Sequence, residues 1–167
     1  MAKEKTTIPF EDFIAVVDPA TVPFVMTLDS LMRSAGCTVG IEPAKNGYVV
    51  SYKHTGSGRV LANFVFRKKG LVIRLYADNI LKYMERLESL PAAMKSKVAK
   101  APLCRRLVNP ELCNPHCPKG YEFILDGENH QKCRYNCFMF FLDDASNPAI
   151  RQLLEAELSF RGAQAGG

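Results

Sequence analysis

Thiols are concentrated in one short part of this chain. Five of the six cysteines fall within residues 104–137, and these are Cys104, Cys113, Cys117, Cys133 and Cys137. Sulfur ligands at such short spacings are typical of a tetrahedral zinc site. A site made only of thiolates is usually structural, because catalytic zinc keeps an open position and favours histidine and carboxylate ligands. The pattern therefore predicts a structural Zn²⁺ ion.

Two sets of four thiols could hold this ion. The first set is Cys104, Cys113, Cys117 and Cys133, and the second replaces Cys104 with Cys137. The choice depends on residues 133–137, because on a strand they span about 13 Å and cannot share an ion, whereas on a helix they share a face. The aromatic residues at 138–141 favour a strand and thus the first set. His116 is an alternative ligand, although a loop histidine of this kind is more often exposed.

Other chemistry has less support. No Ser/His/Asp arrangement, phosphate-binding loop or dinucleotide-binding glycine motif occurs, so we assign no catalytic residue. Cys133 lies between Lys132 and Arg134, and nearby cations favour a thiolate. A thiol-based redox sensor or enzyme is therefore an alternative, although the same cations also suit a zinc tetrathiolate.

The charge distribution suggests an anionic partner. The net charge is +5, with −3 in residues 1–44, +6 in 45–93 and +4 in 94–137. A basic middle segment attracts a small anionic ligand, an acidic protein or nucleic acid. No run exceeds three basic residues, which also fits an ordinary solvated surface. Glu155 and Glu157 are expected on the solvated face of a helix.

The first half of the chain predicts a helix followed by an antiparallel meander. Asp18-Pro19 is a helix-start signal, and apolar residues follow at helical spacing. Alternating strand-like segments are then separated by turn sequences at Asn46-Gly47, Thr55–Gly58 and Lys69-Gly70. This pattern predicts an α+β fold in which four or more antiparallel strands pack against helices.

The second half predicts two helices, a cysteine-rich element and a final helix. The helix over 92–101 has a lysine-rich outer face, and the cysteine-rich element spans 101–142. Within it, Asp126-Gly127 turns a hairpin-type unit whose second arm, Tyr135–Leu142, could be a strand or a helix. A final helix over 147–160 completes a single domain of residues 1–161, and 162–167 are expected to form a disordered tail.

Three side chains are candidates for ligand binding. Tyr52, Phe66 and Arg74 lie on neighbouring predicted strands and could line a pocket between sheet and helix, or stack against nucleobases. Packing in the core is the ordinary alternative for the two aromatic residues. No apolar run approaches the roughly 20 residues that span a bilayer, and no secretory leader is recognised. We therefore expect a cytoplasmic protein that does not bind membranes.

Two resemblances agree with this fold. The meander, with Gly47–Lys53 and the two strands from Arg59 to Leu75, resembles small bacterial domains of the YdhG-like kind over residues 18–100. The strings Cys113-x3-Cys117-x2-Gly120-Tyr121-x-Phe123 and Lys132–Tyr135 resemble small proteins of anaerobic gut bacteria. These resemblances imply an α+β fold on an antiparallel sheet, and they bring no activity or catalytic residue.

Together these patterns predict a non-enzymatic, zinc-stabilised module that binds a small anionic ligand or a protein partner. The first alternative is a nucleic-acid-binding regulatory protein that uses the basic segment 45–137. The second alternative is the thiol-based sensor or enzyme.

Overall fold

The four-stranded meander and the helices on either side of it follow one another in the order that the sequence pattern predicts. The structure is a computed structural model, and it describes residues 7–109, 111 and 120–165. The helices are α1 (Phe10–Ala15), α2 (Val22–Ser34), α3 (Met84–Glu88), α4 (Ala92–Ala99), α5 (Arg105–Val108) and α6 (Asn147–Ala165), with a 3₁₀ turn at Ile80–Lys82. The strands are β1 (Cys37–Ala44), β2 (Gly47–His54), β3 (Arg59–Arg67), β4 (Gly70–Leu75), β5 (Tyr121–Leu125), β6 (Glu128–Lys132) and β7 (Met139–Phe141).

The main sheet is antiparallel throughout. Strands β1 to β4 form a meander, and β7 adds a fifth strand beside β4. Gly47 and Gly70 make the tight turns with φ of +132° and +140°, a region that favours glycine. A Cβ on Gly47 would also lie 2.9 Å from the Phe66 ring. The predicted α+β class, with an antiparallel sheet packed against helices, is confirmed.

One face of the sheet is covered by helices. Tyr52, Phe64 and Ile73 are at most 1% exposed on this face, and they share one apolar cluster with Phe13 of α1 and Leu28 of α2. The rings of Phe13 and Phe64 stack with centroids 5.7 Å apart. Burial of each such side chain contributes about 1.5–3 kcal/mol. This face therefore supplies most of the core, and a smaller apolar cluster of Val65, Val72 and Met139 lies on the other face.

The second face carries a polar row. The strand register aligns Ser51, Asn63, Arg74 and Met139 across β2, β3, β4 and β7. Asn63 Nδ2 donates to Ser51 Oγ at 2.8 Å, and Arg74 Nη1 donates to Asn63 Oδ1 at 3.5 Å. Side chains alternate across a strand, so the residues between the core positions are the ones that form this row.

Strands β5 and β6 form a separate hairpin. Asp126 and Gly127 have φ of +50° and +81°, which makes a two-residue turn, and β6 begins directly after it. The expectation that Tyr135–Leu142 forms the second arm is therefore wrong. Met139–Phe141 pairs with β4 instead, because a turn after β6 redirects the chain into the main sheet.

Helix α6 is fixed to the sheet by buried ionic groups. Glu157 and Arg161 are 0% and 1% exposed, and Arg161 Nε donates to Glu157 Oε2 at 2.7 Å. The carboxylate also accepts from the backbone and side-chain amides of Asn79 and from the Tyr83 hydroxyl. The expected solvated position of Glu157 is wrong, because four protein donors replace water around it. Within the described ranges, no helix has the length and apolar character to cross a bilayer.

Candidate functional site

Two of the clustered cysteines lie where the segment after α4 crosses the hairpin. A single antiparallel bridge joins the two segments. Two backbone hydrogen bonds flank it, from Cys104 N to Gln131 O (2.8 Å) and from Cys133 N to Pro102 O (2.9 Å). Side chains alternate along extended backbone, so Cys104 and Cys133 lie on the same side of this cysteine crossing. Such diagonal neighbours have Cβ atoms about 7–8 Å apart or less, from which two sulfurs can approach the roughly 3.8 Å of a shared zinc ion.

Both sulfurs have an N–H donor. Gly120 N donates to Cys104 Sγ at 3.3 Å, and Asn136 Nδ2 donates to Cys133 Sγ at 3.6 Å. Hydrogen bonds of this kind orient the ligands of a metal site. The surroundings of these two sulfurs are therefore suited to metal ligands.

Gly120 is in close contact with the crossing. A Cβ at this position would lie 2.1 Å from the backbone oxygen of Lys132 and 2.9 Å from Cys104 Sγ. Only a residue without a side chain lets the backbone N–H approach the sulfur this closely. The glycine in the cysteine-rich string thus has a steric role at the crossing.

Residues 133–137 form a hydrogen-bonded turn. Asn136 N and Cys137 N donate to Cys133 O at 3.1 and 3.0 Å, which is one helical turn. The strand expected here is wrong, so strand geometry does not separate the two ligand sets. Cys137 is 0% exposed within the apolar cluster, and burial raises the pKa of its thiol well above the ordinary value, although Lys132 opposes this shift. Its environment is that of a core thiol.

The remaining predicted ligands lie outside the described residues. These are Cys113, Cys117 and the alternative ligand His116. Across 7–109, 111 and 120–165, no three His, Cys, Asp or Glu side chains form a group that could hold a metal ion. Cys104 and Cys133 would therefore need ligands from 112–119 to complete a tetrahedral site.

The cations beside Cys133 in sequence have other partners. Lys132 Nζ donates to the backbone oxygens of Ala99 and Ala101 at 2.7 and 3.0 Å. Arg134 Nη1 lies 2.9 Å from Asp78 Oδ1. Both charges are thus engaged in fixing the fold.

The three predicted ligand-binding residues are divided between the two faces of the sheet. Tyr52 is 0% exposed on the helix-covered face, where its hydroxyl donates to Asp29 Oδ1 at 2.7 Å. Phe66 lies on the same face and packs against Phe13, with ring centroids 5.8 Å apart. Arg74 is on the second face. The strand register therefore does not bring these three side chains together in one pocket.

Arg74 contacts the turn that follows Cys133. Its Nε donates to the backbone oxygen of Tyr135 at 2.7 Å, so it holds the 133–137 turn against the sheet. In register, it pairs with Met139 of β7. Met139 in turn lines a cleft of about 490 Å³ beside the turn.

This α4 cleft lies between α4, the cysteine crossing and β7. Its lining residues are Ala93, Ser96, Lys97, Lys100, Ala101, Pro102, Asn136 and Met139. The Lys97 ammonium lies 4.7 Å from the centroid of the Phe141 ring, and burial lowers its pKa. In the described part of the chain, no ion pair joins Lys97 or Lys100 to an acidic side chain. The cleft thus combines basic groups with an apolar wall.

Sequence reasoning missed Lys97 and Asn136. The lysine-rich face of α4 suggested only solvent contact, because the sequence does not show that β7 returns beside this helix. Asn136 carried no signal, since its role depends on the turn that places its amide near Cys133. The spacing of Lys97 and Lys100, which puts both on one side of a helix, was the available signal.

No protein-family model, curated protein or solved structure matches this chain. The resemblances to YdhG-like domains and to proteins of anaerobic gut bacteria therefore stay predictions. Any function assigned to the chain rests on the geometry of its described residues.

Proposed function

We propose that this chain is a non-enzymatic binding module for an anionic ligand or partner. A structural zinc ion, held by Cys104, Cys113, Cys117 and Cys133, would fix the surface beside α4. The observation that carries the proposal is the cysteine crossing, where two thiols distant in sequence lie on one side of paired backbone and each accepts an N–H.

The tether between the thiols supports this ligand set. Cys117 precedes Gly120 by three residues, which covalent geometry limits to about 11 Å of chain. Gly120 N itself is 3.3 Å from Cys104 Sγ. The sequence alone therefore tethers a third thiol to Gly120 by a short segment. Cys137 remains the substitute ligand, although its burial among apolar side chains favours Cys104.

The proposed site is structural because of its ligand chemistry. Four thiolates fill the tetrahedral positions of zinc and leave none open for substrate or water. Such a site contributes to folding, since the metal binds the folded chain and not the unfolded one. The role we propose for the ion is to hold the 101–142 element, including the 133–137 turn, in one conformation.

Metal content and stability test the proposal. Protein purified without added metal should contain one zinc ion per chain, and a chelator should lower its melting temperature. Cys104→Ser and Cys117→Ser should each lose the ion and lower the melting temperature by roughly 5–15 °C, as a loss of about 2–4 kcal/mol predicts for this size. Elemental analysis and calorimetric melting give both readouts.

Cys37→Ser is the matched control. Cys37 is also buried, at 8% exposure, but it lies at the start of β1 and outside the 104–137 segment. The Cys37→Ser protein should be less stable, because a buried thiol is replaced by a hydroxyl, but it should keep its zinc ion. Equal zinc content in Cys104→Ser and the unmodified chain would refute the first ligand set. A single fast-reacting cysteine in the metal-loaded protein would instead support the thiol-based sensor or enzyme.

Nucleic-acid binding through segment 45–137 is the second candidate. Lys53, Arg67 and Arg74 alternate onto the second face of the sheet, which favours contact with a phosphate backbone. Tyr52 and Phe66 lie on the opposite face, so they do not supply stacking platforms there. This candidate predicts that affinity for single-stranded RNA falls steeply with salt, with a slope of about 2–3 on logarithmic axes for three or four phosphate contacts. A flat response in a filter-binding assay would exclude it.

A further inference from the structure

Lys97 differs from two other partly buried cations of the described chain. Lys95, on the same helix, pairs with Asp126 at 3.2 Å, and Arg134 pairs with Asp78 at 2.9 Å. Lys97 has the face of Phe141 on one side and no carboxylate within ion-pair distance among the described residues. A cation that has lost water without gaining an anion is costly, and an anionic ligand would remove that cost.

The groups around Lys97 could all contact one ligand. Lys100 follows at a spacing of three, which places both ammonium groups on one side of α4. Ser96 adds a hydroxyl, and Asn136 adds an amide from the opposite wall. Met139 and Pro102 supply apolar surface within the same cleft of about 490 Å³, a volume in the range of small-molecule sites.

We propose that the α4 cleft binds a small organic phosphate, with the phosphate between Lys97 and Lys100 and an apolar or planar body against Met139 and Pro102. The two ammonium groups and the Ser96 hydroxyl donate to phosphate oxygens, and such charge-assisted bonds are the strong ones. The apolar wall favours a ligand with an organic body over inorganic phosphate alone.

The cleft is coupled to the cysteine crossing, and this part of the inference rests on the proposed function. Pro102 O accepts the hydrogen bond from Cys133 N, and Asn136 Nδ2 donates to Cys133 Sγ. Two lining residues are therefore positioned by Cys133. Removal of the zinc ion should weaken phosphate binding, because these walls lose their fixed geometry.

Calorimetric titration of the full chain with AMP tests the cleft. AMP should bind more tightly than inorganic phosphate or adenosine, since each of these supplies only one part of the ligand. Lys97→Met should weaken AMP binding about tenfold or more, as the loss of one charge-assisted contact predicts. Lys97→Arg should retain binding, because it keeps the charge.

Lys82→Met is the matched control. Lys82 also lies over an aromatic ring, with its Nζ 5.6 Å from the centroid of Phe160, but it does not line the cleft. Its AMP affinity should equal that of the unmodified chain. Equal affinity in Lys97→Met, or no AMP binding at millimolar concentration, overturns the inference. Binding of single-stranded RNA without AMP binding also overturns it.

The chelated protein separates the two proposals. Weaker AMP binding together with a lower melting temperature supports both. AMP binding and melting that are both unchanged by the chelator refute the zinc proposal and the coupling, while the cleft stands on its Lys97 dependence. Zinc-dependent melting without AMP binding refutes the cleft and leaves the structural site.

Discussion

The α6 end of the sheet and the α4 cleft differ in the partners that surround their cationic side chains. At α6, Arg161 donates five hydrogen bonds to protein oxygens, including those of Glu157 and Asp78. In the cleft, Lys97 is partly buried against an aromatic ring without an anionic partner in the described chain. The cation of the first region has all its partners within the protein. Under our proposal, a ligand supplies the anionic partner of the cation in the second region.

Under our proposal, this difference separates structural from functional charge. A buried ion pair with all its hydrogen bonds made is a feature of folding, and it offers nothing to a ligand. An unmatched cation beside a cleft costs stability and is kept more readily where it serves binding. Perturbed or buried ionic groups should therefore be judged by what remains unsatisfied around them.

The largest expected effect comes from breaking the complete network. Arg161→Met should destabilise the protein by about 3–5 kcal/mol, because Glu157 stays buried without its cation. Urea denaturation measures the change. Arg151→Met, on the same helix but in an exposed pair with Glu155, should change stability by less than about 0.5 kcal/mol. Equal losses in both variants would contradict the distinction between the regions.

The next effect tests the cysteine crossing without changing a thiol. Gly120→Ala should destabilise by about 1–3 kcal/mol and lower zinc affinity, because its Cβ would overlap the Lys132 oxygen and contact Cys104 Sγ. Gly40→Ala is the control, since a Cβ there meets nothing within 4 Å. Melting and metal content measure the outcomes. A Gly120→Ala protein that melts and binds zinc normally would show that close packing at the crossing is unimportant.

The smallest effect concerns the unmatched cation. Burial lowers the pKa of Lys97 in the folded state, so protonation disfavours folding. The penalty is fully present below the folded pKa and disappears as pH rises through the ordinary value of 10.5. Lys97→Met should therefore be more stable than the unmodified chain at pH 7, by at most about 1 kcal/mol, and the gap should close near pH 10.5. Denaturation at both pH values tests this, and a gap that widens with pH would reverse the assigned sign.

Local patterns predicted the main sheet well. Asn46-Gly47 and Lys69-Gly70 are turn signals whose positive φ depends on glycine, and alternation between them identifies the strands. The hairpin around Asp126-Gly127 was also predicted, but its second arm was expected at Tyr135–Leu142 and lies instead directly after the turn. The short β6, Glu128–Lys132, has a polar composition, and the aromatic segment after it is a strand of the other sheet.

Candidate site residues were predictable by type but not by position. The cysteine spacing singled out five thiols that include Cys104 and Cys133, while the placement of these two on one side of the crossing depends on the pairing of two segments nearly thirty residues apart. Tyr52 and Arg74 lie on β2 and β4, the two strands that flank β3, but the strand register puts them on opposite faces. A one-residue difference in register changes the face of every side chain, and short-range patterns carry little information about it.

By itself, the sequence determined the antiparallel meander, its glycine turns and the set of thiols available to an ion, because these follow from local backbone preference and residue chemistry. Only the tertiary structure decided that Glu157 is buried, that Cys137 lies in the core and that Lys97 lies beside a cleft with no carboxylate partner among the described residues. Burial and pairing depend on which distant segments pack together, and that is a property of the whole fold.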